Sequence, residues 1–321
     1  MSEILKVENL KKYFVKKSFF SSKTSVVKAV DDISFSVEKG EVFVLAGESG
    51  SGKSTIARLI LKAIEADSGK IIFDNEEIKN DSKSLAKIRM KCQMVHQDPY
   101  ESINPRMKVF DIVSEPLEIH GVGSKAERRS RVLDTLREVR LEPAEDIVKK
   151  YPHMLSGGQR QRIVLARALV LKPEMIIADE PVSMLDVSIR AEVLELMKEL
   201  REKHNITFIY ITHDLATARH FGNRIAILYL GKIVEIGPIE KVLLHPKHPY
   251  TQALIDALSE PDPENLYKEK KIRINDPLDI DVYEGCRFRA RCPYAIEKCI
   301  EEPPLERKDD QRDVACFVPV E

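Results

Sequence analysis

The sequence predicts an α/β fold in which helices cover a mostly parallel sheet. Two patterns in the 321 residues predict it. Residues 42–64 contain a short apolar run, a glycine-rich stretch and then a helical pattern, which is the order strand, loop, helix. After residue 174, the apolar runs MIIA, TFIYIT and IAILYL alternate with segments whose apolar residues recur at helical spacing.

The first part of the chain is expected to form strands. Residues 4–14 and 26–37 have strand-like patterns, and the Ser- and Lys-rich residues 16–25 between them are typical of a hairpin loop. Short apolar runs predict two further strands at residues 70–73 and 92–95. Cys92 begins the second of these runs and is expected to be a buried strand residue.

Helical patterns occupy much of the remaining chain. They predict helices at residues 55–64, 189–204 and 215–221, and residues 110–150 combine high charge with helical spacing, which is typical of a helical insert. Past residue 238 the chain is proline-rich and has no long apolar run. We therefore expect a main domain over residues 1–237, followed by an extension to residue 321.

Composition is that of an ordinary globular protein. The 51 Lys and Arg residues balance 52 Asp and Glu residues, so there is no overall basic field and no nucleic-acid partner is expected. The longest apolar run has six residues, far fewer than the ~20 that a membrane-spanning helix needs. The first residues do not resemble an export signal, so we expect the chain in the reducing cytosol.

Residues 47–55, GESGSGKST, match the phosphate-binding pattern G-x-x-x-x-G-K-S/T between a predicted strand and a predicted helix. The glycines let backbone N–H groups point at phosphate oxygens, and the following helix adds its positive end. Lys53 is expected to bridge the β- and γ-phosphates, and Ser54 to bind Mg²⁺. A flexible loop that binds nothing does not explain this lysine. The residues expected to contact the nucleotide are Gly47, Glu48, Ser49, Gly50, Ser51, Gly52, Lys53, Ser54 and Thr55.

Two carboxylates follow the apolar run that starts at Met175. Asp179 would lie at the carboxyl end of its strand and hold Mg²⁺, and Glu180 would act as general base on the attacking water. The alternative is that the strand simply runs into an acidic turn that has no role in catalysis. Together with the phosphate loop, the pair predicts a nucleotide hydrolase.

Six motifs in order resemble those of ABC-transporter ATPase subunits. Besides the two above, LSGGQ at residues 155–159 resembles the family signature, and Gln97 in VHQDP resembles the Q-loop. Asp186 in SMLD resembles the D-loop, and His213 in ITHD resembles the switch histidine. Tyr13 occupies the place of the aromatic residue that stacks on adenine, although it could equally be a core aromatic.

This resemblance implies an ABC-type cassette: a mixed sheet core with an antiparallel β part and a helical subdomain at about residues 100–160. It also implies that two ATP molecules are held head-to-tail between two chains. The signature residues that would bind the partner's nucleotide are Ser156, Gly157, Gly158 and Gln159. Gln97 would join Mg²⁺ or the attacking water, and His213 would contact the γ-phosphate.

Three stretches resemble the ATPase subunits of oligopeptide and dipeptide importers. They are QDPYESINPR, DEPVSMLDVSIRAEV and HPKHPYTQALIDALSEPDP, and the first two resemble the F-type subunit. The implied partners are membrane permease subunits and a second, D-type ATPase subunit or another copy of this chain. An external solute-binding protein would act indirectly. The chain would lie at the cytoplasmic face of the membrane as a peripheral subunit.

Other functions of an ABC-type ATPase are also consistent with these motifs. Related ATPases serve importers of oligosaccharides or nickel complexes, and soluble ABC ATPases act outside transport. The single phosphate loop, the single signature and the lack of a sustained heptad pattern argue against the soluble class.

Four of the five cysteines are close together near the end of the chain. Cys286, Cys292, Cys299 and Cys316 are spaced more widely than typical zinc knuckles. Four thiolates suit a 4Fe-4S cluster, and residues 286–316 resemble the carboxy-terminal segment of peptide-importer ATPases that bind one. Zinc and free or oxidised thiols are the alternatives.

Overall fold

The structure is a computed structural model that describes residues 2–17, 24–257, 283–309 and 311–320. The chain divides into two compact units. Unit 1 comprises Met1–Ile4, Glu38–Val42 and Ile78–Ile211. Unit 2 comprises Leu5–Val37, Phe43–Glu77 and Thr212–Glu321. The domain boundary expected near residue 238 remains a prediction.

The strands of the described residues range from two to fifteen residues in length. In chain order they are β1 (Glu3–Lys17), β2 (Thr24–Glu38), β3 (Val42–Ala46), β4 (Ser68–Phe73), β5 (Glu76–Glu77), β6 (Cys92–Val95), β7 (Met175–Asp179), β8 (Thr207–Thr212), β9 (Arg224–Tyr229), β10 (Lys232–Pro238), β11 (Glu306–Asp309) and β12 (Arg312–Val314).

The α-helices of the same part of the chain are mostly short. They are α1 (Lys53–Ile60), α2 (Ser82–Lys91), α3 (Pro99–Ser102), α4 (Val109–Ile119), α5 (Lys125–Glu138), α6 (Ala144–Ile147), α7 (Gly157–Leu169), α8 (Val187–His204), α9 (Leu215–Phe221), α10 (Ile239–Leu244) and α11 (Pro249–Asp256). None of these described helices combines the length and apolar character needed to cross a membrane.

Unit 1 is built on three parallel strands, in the order β6–β7–β8. Val95 of β6 pairs with Ala178 of β7, and Asp179 at the end of β7 pairs with Ile211 of β8. All six residues of β8 are buried, as expected for a strand with covered faces. Helix α4 packs against α5 and α7, which is the helical insert that the charge and spacing predict.

Unit 2 contains two strand groups. One has the order β2–β1–β4–β5, in which β4 is antiparallel to both β1 and β5. The other pairs β3 with β9 in parallel, and β9, β10, β12 and β11 follow one another in antiparallel pairs. β12 comes from the cysteine-containing end of the chain, so this end is hydrogen-bonded into a sheet of the main body of unit 2.

The structure confirms the predicted α/β class with its mixed sheet and antiparallel β part. It also confirms several individual predictions: β6 spans residues 92–95, α9 spans residues 215–221, and Cys92 is a buried strand residue. Residues 18–23 of the predicted hairpin loop lie outside the described residues, and β1 and β2 extend to their edges.

Candidate functional site

The phosphate loop of unit 2 joins a buried strand to a helix, as the sequence predicts. Every residue of β3 is fully buried, and α1 begins at Lys53. Gly47 and Gly52 both have positive φ, at 146° and 108°. A Cβ on Gly47 would lie 2.2 Å from the carbonyl oxygen of Leu228, and one on Gly52 would lie 2.1 Å from that of Ala29. Only glycine fits at these two positions.

Lys53 is directed into the loop rather than towards solvent. Its Nζ donates to the carbonyl oxygens of Gly47 at 2.7 Å and Glu48 at 2.8 Å, and to Ser51 Oγ at 3.3 Å. Its side chain is buried, whereas Glu48 and Ser54 are exposed. An ammonium enclosed by a curled loop, at the start of a helix whose first N–H groups have no intrahelical partner, is an arrangement that attracts phosphate.

Tyr13 lies on β1 of unit 2 and is fixed by a carboxylate. Its hydroxyl donates to Asp31, and Lys28 Nζ lies 5.8 Å from the centre of its ring. Burial and the hydrogen bond to Asp31 raise the pKa of Tyr13 to about 12, so the hydroxyl stays protonated. His213, in the same unit, is exposed between β8 and α9. Stacking on adenine by Tyr13 and γ-phosphate contact by His213 both remain predictions.

Unit 1 brings Gln97 and Glu180 together. Gln97 Nε2 donates to Glu180 Oε2 at 3.0 Å. Glu180 follows β7 directly and has a positive φ of 47°, which is uncommon for a residue with a side chain. Its N–H donates to the carbonyl oxygen of Ile211 at 2.9 Å, and its carbonyl oxygen accepts from Ser183 Oγ at 3.0 Å. These bonds hold the backbone conformation that directs the carboxylate.

The signature residues of unit 1 form the start of α7. Ser156 is the N-cap: its Oγ accepts from the N–H of Gln159 at 3.3 Å, and Gln159 Oε1 accepts from the N–H of Ser156 at 3.1 Å. This capping box leaves the hydroxyl proton of Ser156 able to donate to an anion. A Cβ on Gly158 would lie 2.6 Å from Ile189 Cγ2, so close packing against α8 requires glycine there.

Exposed apolar side chains lie near the signature and the D-loop of unit 1. Met154 precedes the signature and is 60% exposed, and Met184 and Val187, on either side of Asp186, are 61% and 81% exposed. Asp186 itself is exposed at the N-cap of α8. Several large apolar groups left in solvent beside polar motif residues are typical of a surface that contacts a partner.

The four clustered cysteines of unit 2 line one cavity, together with Phe288 and Phe317. Burial raises the pKa of Cys286 to about 11 and that of Cys316 to about 12, so these two thiols are neutral at pH 7. Within the ranges that the structure describes, no group of three or more His, Cys, Asp or Glu side chains is arranged to hold a metal ion. The side-chain arrangement therefore does not support the predicted metal site.

Comparison with known proteins identifies the family. A model described as "ABC transporter" matches residues 30–183, and one described as "Oligopeptide/dipeptide transporter, C-terminal region" matches residues 234–299. A probable peptide ABC transporter ATP-binding protein of Sinorhizobium fredii is 43% identical over 98% of this chain and 90% of its own length. The chain belongs to the ABC transporter ATP-binding family.

Other members of this ABC family are similar in sequence and in structure. The dipeptide transport ATP-binding protein DppF of Haemophilus influenzae is 43% identical over 98% of this chain and 96% of its own. A dimeric post-hydrolysis structure of the cassette MJ0796 bound to ADP and Pi superposes with a TM-score of 0.64 at 31% identity, over 74% of this chain and 99% of that one. The structure of CbiO1 from Clostridium perfringens superposes with a TM-score of 0.66 at 28% identity, over 76% of this chain and 92% of that one.

Sequence reasoning did not find two residues that contact the ABC phosphate loop. Tyr250 Oη accepts from the N–H of Glu48 at 2.9 Å, and Arg291 pairs with the carboxylate of Glu48 at 3.1 Å. Tyr250 falls in the HPKHPY stretch that resembles peptide-importer ATPases, which is a signal that could have marked it. Arg291 lies between two cysteines, where its charge is equally typical of a solvated surface.

Proposed function

We propose that this chain is the ATP-hydrolysing subunit of an importer for oligopeptides or dipeptides. One observation carries the proposal: the enclosed Lys53 of the phosphate loop occurs in the same chain as a Glu180 carboxylate that Gln97 orients. The loop binds the triphosphate through its N–H groups and Lys53. Ser54, Asp179 and Gln97 would supply oxygen ligands for Mg²⁺, which would neutralise phosphate charge when bound.

Hydrolysis follows from what the side chains of this chain do. Glu180 accepts a proton from the attacking water, and Gln97 holds that carboxylate in one orientation by its amide hydrogen bond. His213 contacts the γ-phosphate and Tyr13 stacks on adenine. Each role needs the corresponding nucleotide atom within hydrogen-bond or stacking distance.

The signature acts on a nucleotide held by a second ATPase subunit, either a D-type chain or another copy of this one. The free hydroxyl proton of Ser156 and the N–H groups that begin α7 form an anion site, and the exposed Met184 and Val187 supply apolar contact around it. ATP bridges the two subunits, and its hydrolysis weakens their association. The resulting opening drives a membrane permease, beside which the chain lies at the cytoplasmic face.

The cargo assignment is supported by the relatives named as peptide or dipeptide transport proteins and by the matched C-terminal region. The test is to co-purify this chain with its permease, reconstitute the complex in liposomes and measure uptake of labelled di- and oligopeptides with ATP on the cytoplasmic side. A complex carrying Glu180→Gln is the matched control. Uptake of an oligosaccharide or a nickel complex in place of peptides would reassign the cargo.

We further propose that Cys286, Cys292, Cys299 and Cys316 hold a 4Fe-4S cluster, with zinc as the alternative. The described side chains are not arranged as a metal site, but the four cysteines line one cavity, and thiolate is the ligand that both centres prefer. A bound centre would cross-link a segment that has little core of its own. The test is the iron, sulfide and zinc content of protein purified without oxygen. Absence of all three would overturn the proposal.

A further inference from the structure

Two arginines of the cysteine segment, residues 283–309, reach the nucleotide-binding elements of unit 2. Arg291 Nη1 lies 3.1 Å from Glu48 Oε2 and 3.3 Å from Oε1, and also 3.3 Å from Tyr229 Oη. The Arg291 side chain is 18% exposed, whereas that of Glu48 is 46% exposed. The pair therefore joins a mostly covered guanidinium to the outer part of the phosphate loop.

Glu48 is held at three places at once. Arg291 holds its carboxylate, Tyr250 Oη accepts from its N–H at 2.9 Å, and Lys53 donates to its carbonyl oxygen at 2.8 Å. The tyrosine is itself fixed by packing, since the rings of Tyr229 and Phe288 lie 4.5 and 5.5 Å from its ring. Phe288 belongs to the cysteine segment, so the segment supports the loop through apolar contact as well as charge.

Arg287 reaches the same loop by a second route. Its guanidinium donates to the carbonyl oxygen of Leu230, in the two-residue turn between β9 and β10. The next residue, Gly231, donates its N–H to the carbonyl oxygen of Ser51 in the phosphate loop at 2.9 Å. Both turn residues have positive φ, at 43° and 81°, so the turn has a defined conformation that these bonds stabilise.

Arg287 also supports Tyr13. Its guanidinium pairs with the carboxylate of Asp31, the same group that accepts the hydroxyl of Tyr13. The N–H of Asp31 donates to the carbonyl oxygen of Gly231 at 2.9 Å. Arg287 is buried, and a buried charge without its partner is costly. Its position is therefore tied to Asp31, and through Asp31 to the tyrosine.

The backbone that carries both arginines is folded by bonds within the cysteine segment. The N–H of Cys286 donates to the carbonyl oxygen of Cys299 at 3.0 Å, that of Arg289 to Cys286 at 2.9 Å, and that of Arg291 to Phe288 at 2.9 Å. These turns set the direction of both guanidinium groups.

We propose that Arg287 and Arg291 are positioning residues for ATP, through which the cysteine segment holds the phosphate loop and Tyr13 in their binding conformation. The inference rests on the proposed function only in that residues 47–55 and Tyr13 bind ATP. Neither arginine needs to touch the nucleotide. Because a preorganised loop lowers the cost of ordering on binding, removing either guanidinium is expected to weaken MgATP binding about three- to ten-fold.

The test compares full-length wild type with Arg291→Gln, Arg287→Gln and Arg291→Lys, and uses Arg307→Gln as the matched control. Arg307 lies in the same segment and pairs with Asp313. The dissociation constant for MgATP is measured with a fluorescent ATP analogue, kcat and KM are measured separately, and thermal unfolding checks that each variant folds. We expect KM and Kd to rise in both Gln variants with kcat nearly unchanged, partial recovery in the Lys variant, and no change in the control.

Glu48→Gln keeps the test decisive if Arg287→Gln does not fold. Glu48→Gln, Arg291→Gln and the double variant form a cycle, and the double variant should bind MgATP no more weakly than the weaker single variant. Equal affinity in wild type and all arginine variants, with Lys53→Ala alone losing binding, overturns this inference and leaves the proposed function in place. Failure of wild type itself to bind MgATP overturns both.

Discussion

Gln97 donates a hydrogen bond of 3.0 Å to the carboxylate of Glu180, across 83 residues of sequence. The two side chains approach because β6 and β7 are parallel neighbours, so the residues that follow them meet at the same edge of the sheet. An amide that donates to a general base restricts the directions in which the carboxylate can point. Gln97 therefore restrains the orientation of the Glu180 carboxylate.

Replacing Glu180 by Gln is expected to slow ATP hydrolysis at least ~10²-fold while MgATP binding is kept, because the base is lost without loss of side-chain volume. Single-turnover hydrolysis and equilibrium binding measure the two effects. Glu192→Gln on the surface of α8, where Glu192 pairs with Arg162, is the control. Unchanged turnover in the Glu180 variant would remove this residue from the catalytic step.

Lys53→Ala is expected to lose MgATP binding by ~10²-fold or more, since the ammonium holds the loop carbonyls and is proposed to contact the phosphates. Isothermal titration calorimetry measures the affinity. Lys83→Ala in the first turn of α2 removes an exposed lysine and should bind normally. Normal affinity in the Lys53 variant would contradict the assignment of the loop.

Ser156→Asp separates the capping role of Ser156 from its expected contact with phosphate. Aspartate caps a helix about as well as serine, so the melting temperature should change little. A carboxylate at this position repels a triphosphate, so ATP-dependent association of subunits should be abolished. Light scattering in a Glu180→Gln background measures the association.

The control for Ser156→Asp is Ser124→Asp, because Ser124 forms the same kind of capping box at the start of α5. It should leave both stability and association unchanged. ATP-dependent association that persists in the Ser156 variant would show that the start of α7 does not meet a nucleotide.

Folding stability is expected to fall as pH drops below about 6.5, because burial lowers the pKa of His248 to about 3. Between these values the unfolded chain binds a proton that the folded chain does not, so acid favours unfolding by up to about 1.4 kcal/mol per pH unit. Above pH 6.5, His248 makes no contribution to the pH dependence of stability. The free energy of unfolding in urea, measured from pH 5 to 8, tests this prediction.

His248→Asn isolates that contribution. Nδ1 of His248 accepts from the N–H of Tyr250 at 3.0 Å as the N-cap of α11, and an Asn oxygen can accept in its place. The neighbouring Glu235 is fully buried and accepts from the N–H of His248, and burial raises its pKa, so it titrates in both proteins. The difference between wild type and variant in the pH dependence of the unfolding free energy is therefore due to His248. The same pH dependence in both proteins would contradict the prediction that His248 is buried and neutral.

Local pattern was enough to predict much of the fold and many of the candidate site residues. The apolar run that starts at Cys92 matches β6, and the pattern around Leu215 matches α9. Both were predictable because the spacing of apolar residues reflects burial on one face or on both. The capping box at Ser156 was not identified from the sequence, although it has a local signal, since Gln159 stands three residues on. Motifs whose chemistry depends on neighbours in sequence, such as the phosphate loop, are found in the same way.

Contacts between distant parts of the chain were not predictable from local pattern. Arg291 and Glu48 are 243 residues apart, and Arg287 and Asp31 are 256 apart. Nothing in the spacing of charges distinguishes these arginines from others in the same segment. The antiparallel pairing of β12 with β10 joins that end of the chain to the sheet of unit 2 that also contains β9.

The turn at Leu230 and Gly231 has only two residues between the paired Tyr229 and Lys232, so it has no spare length. The backbone of this turn makes three hydrogen bonds, with the side chain of Arg287 and the backbones of Asp31 and Ser51, which belong to three remote stretches of the polypeptide. Inserting one residue there would displace all three together. A hairpin tip, ordinarily the place where a protein tolerates growth, is here as fixed in length as a core strand.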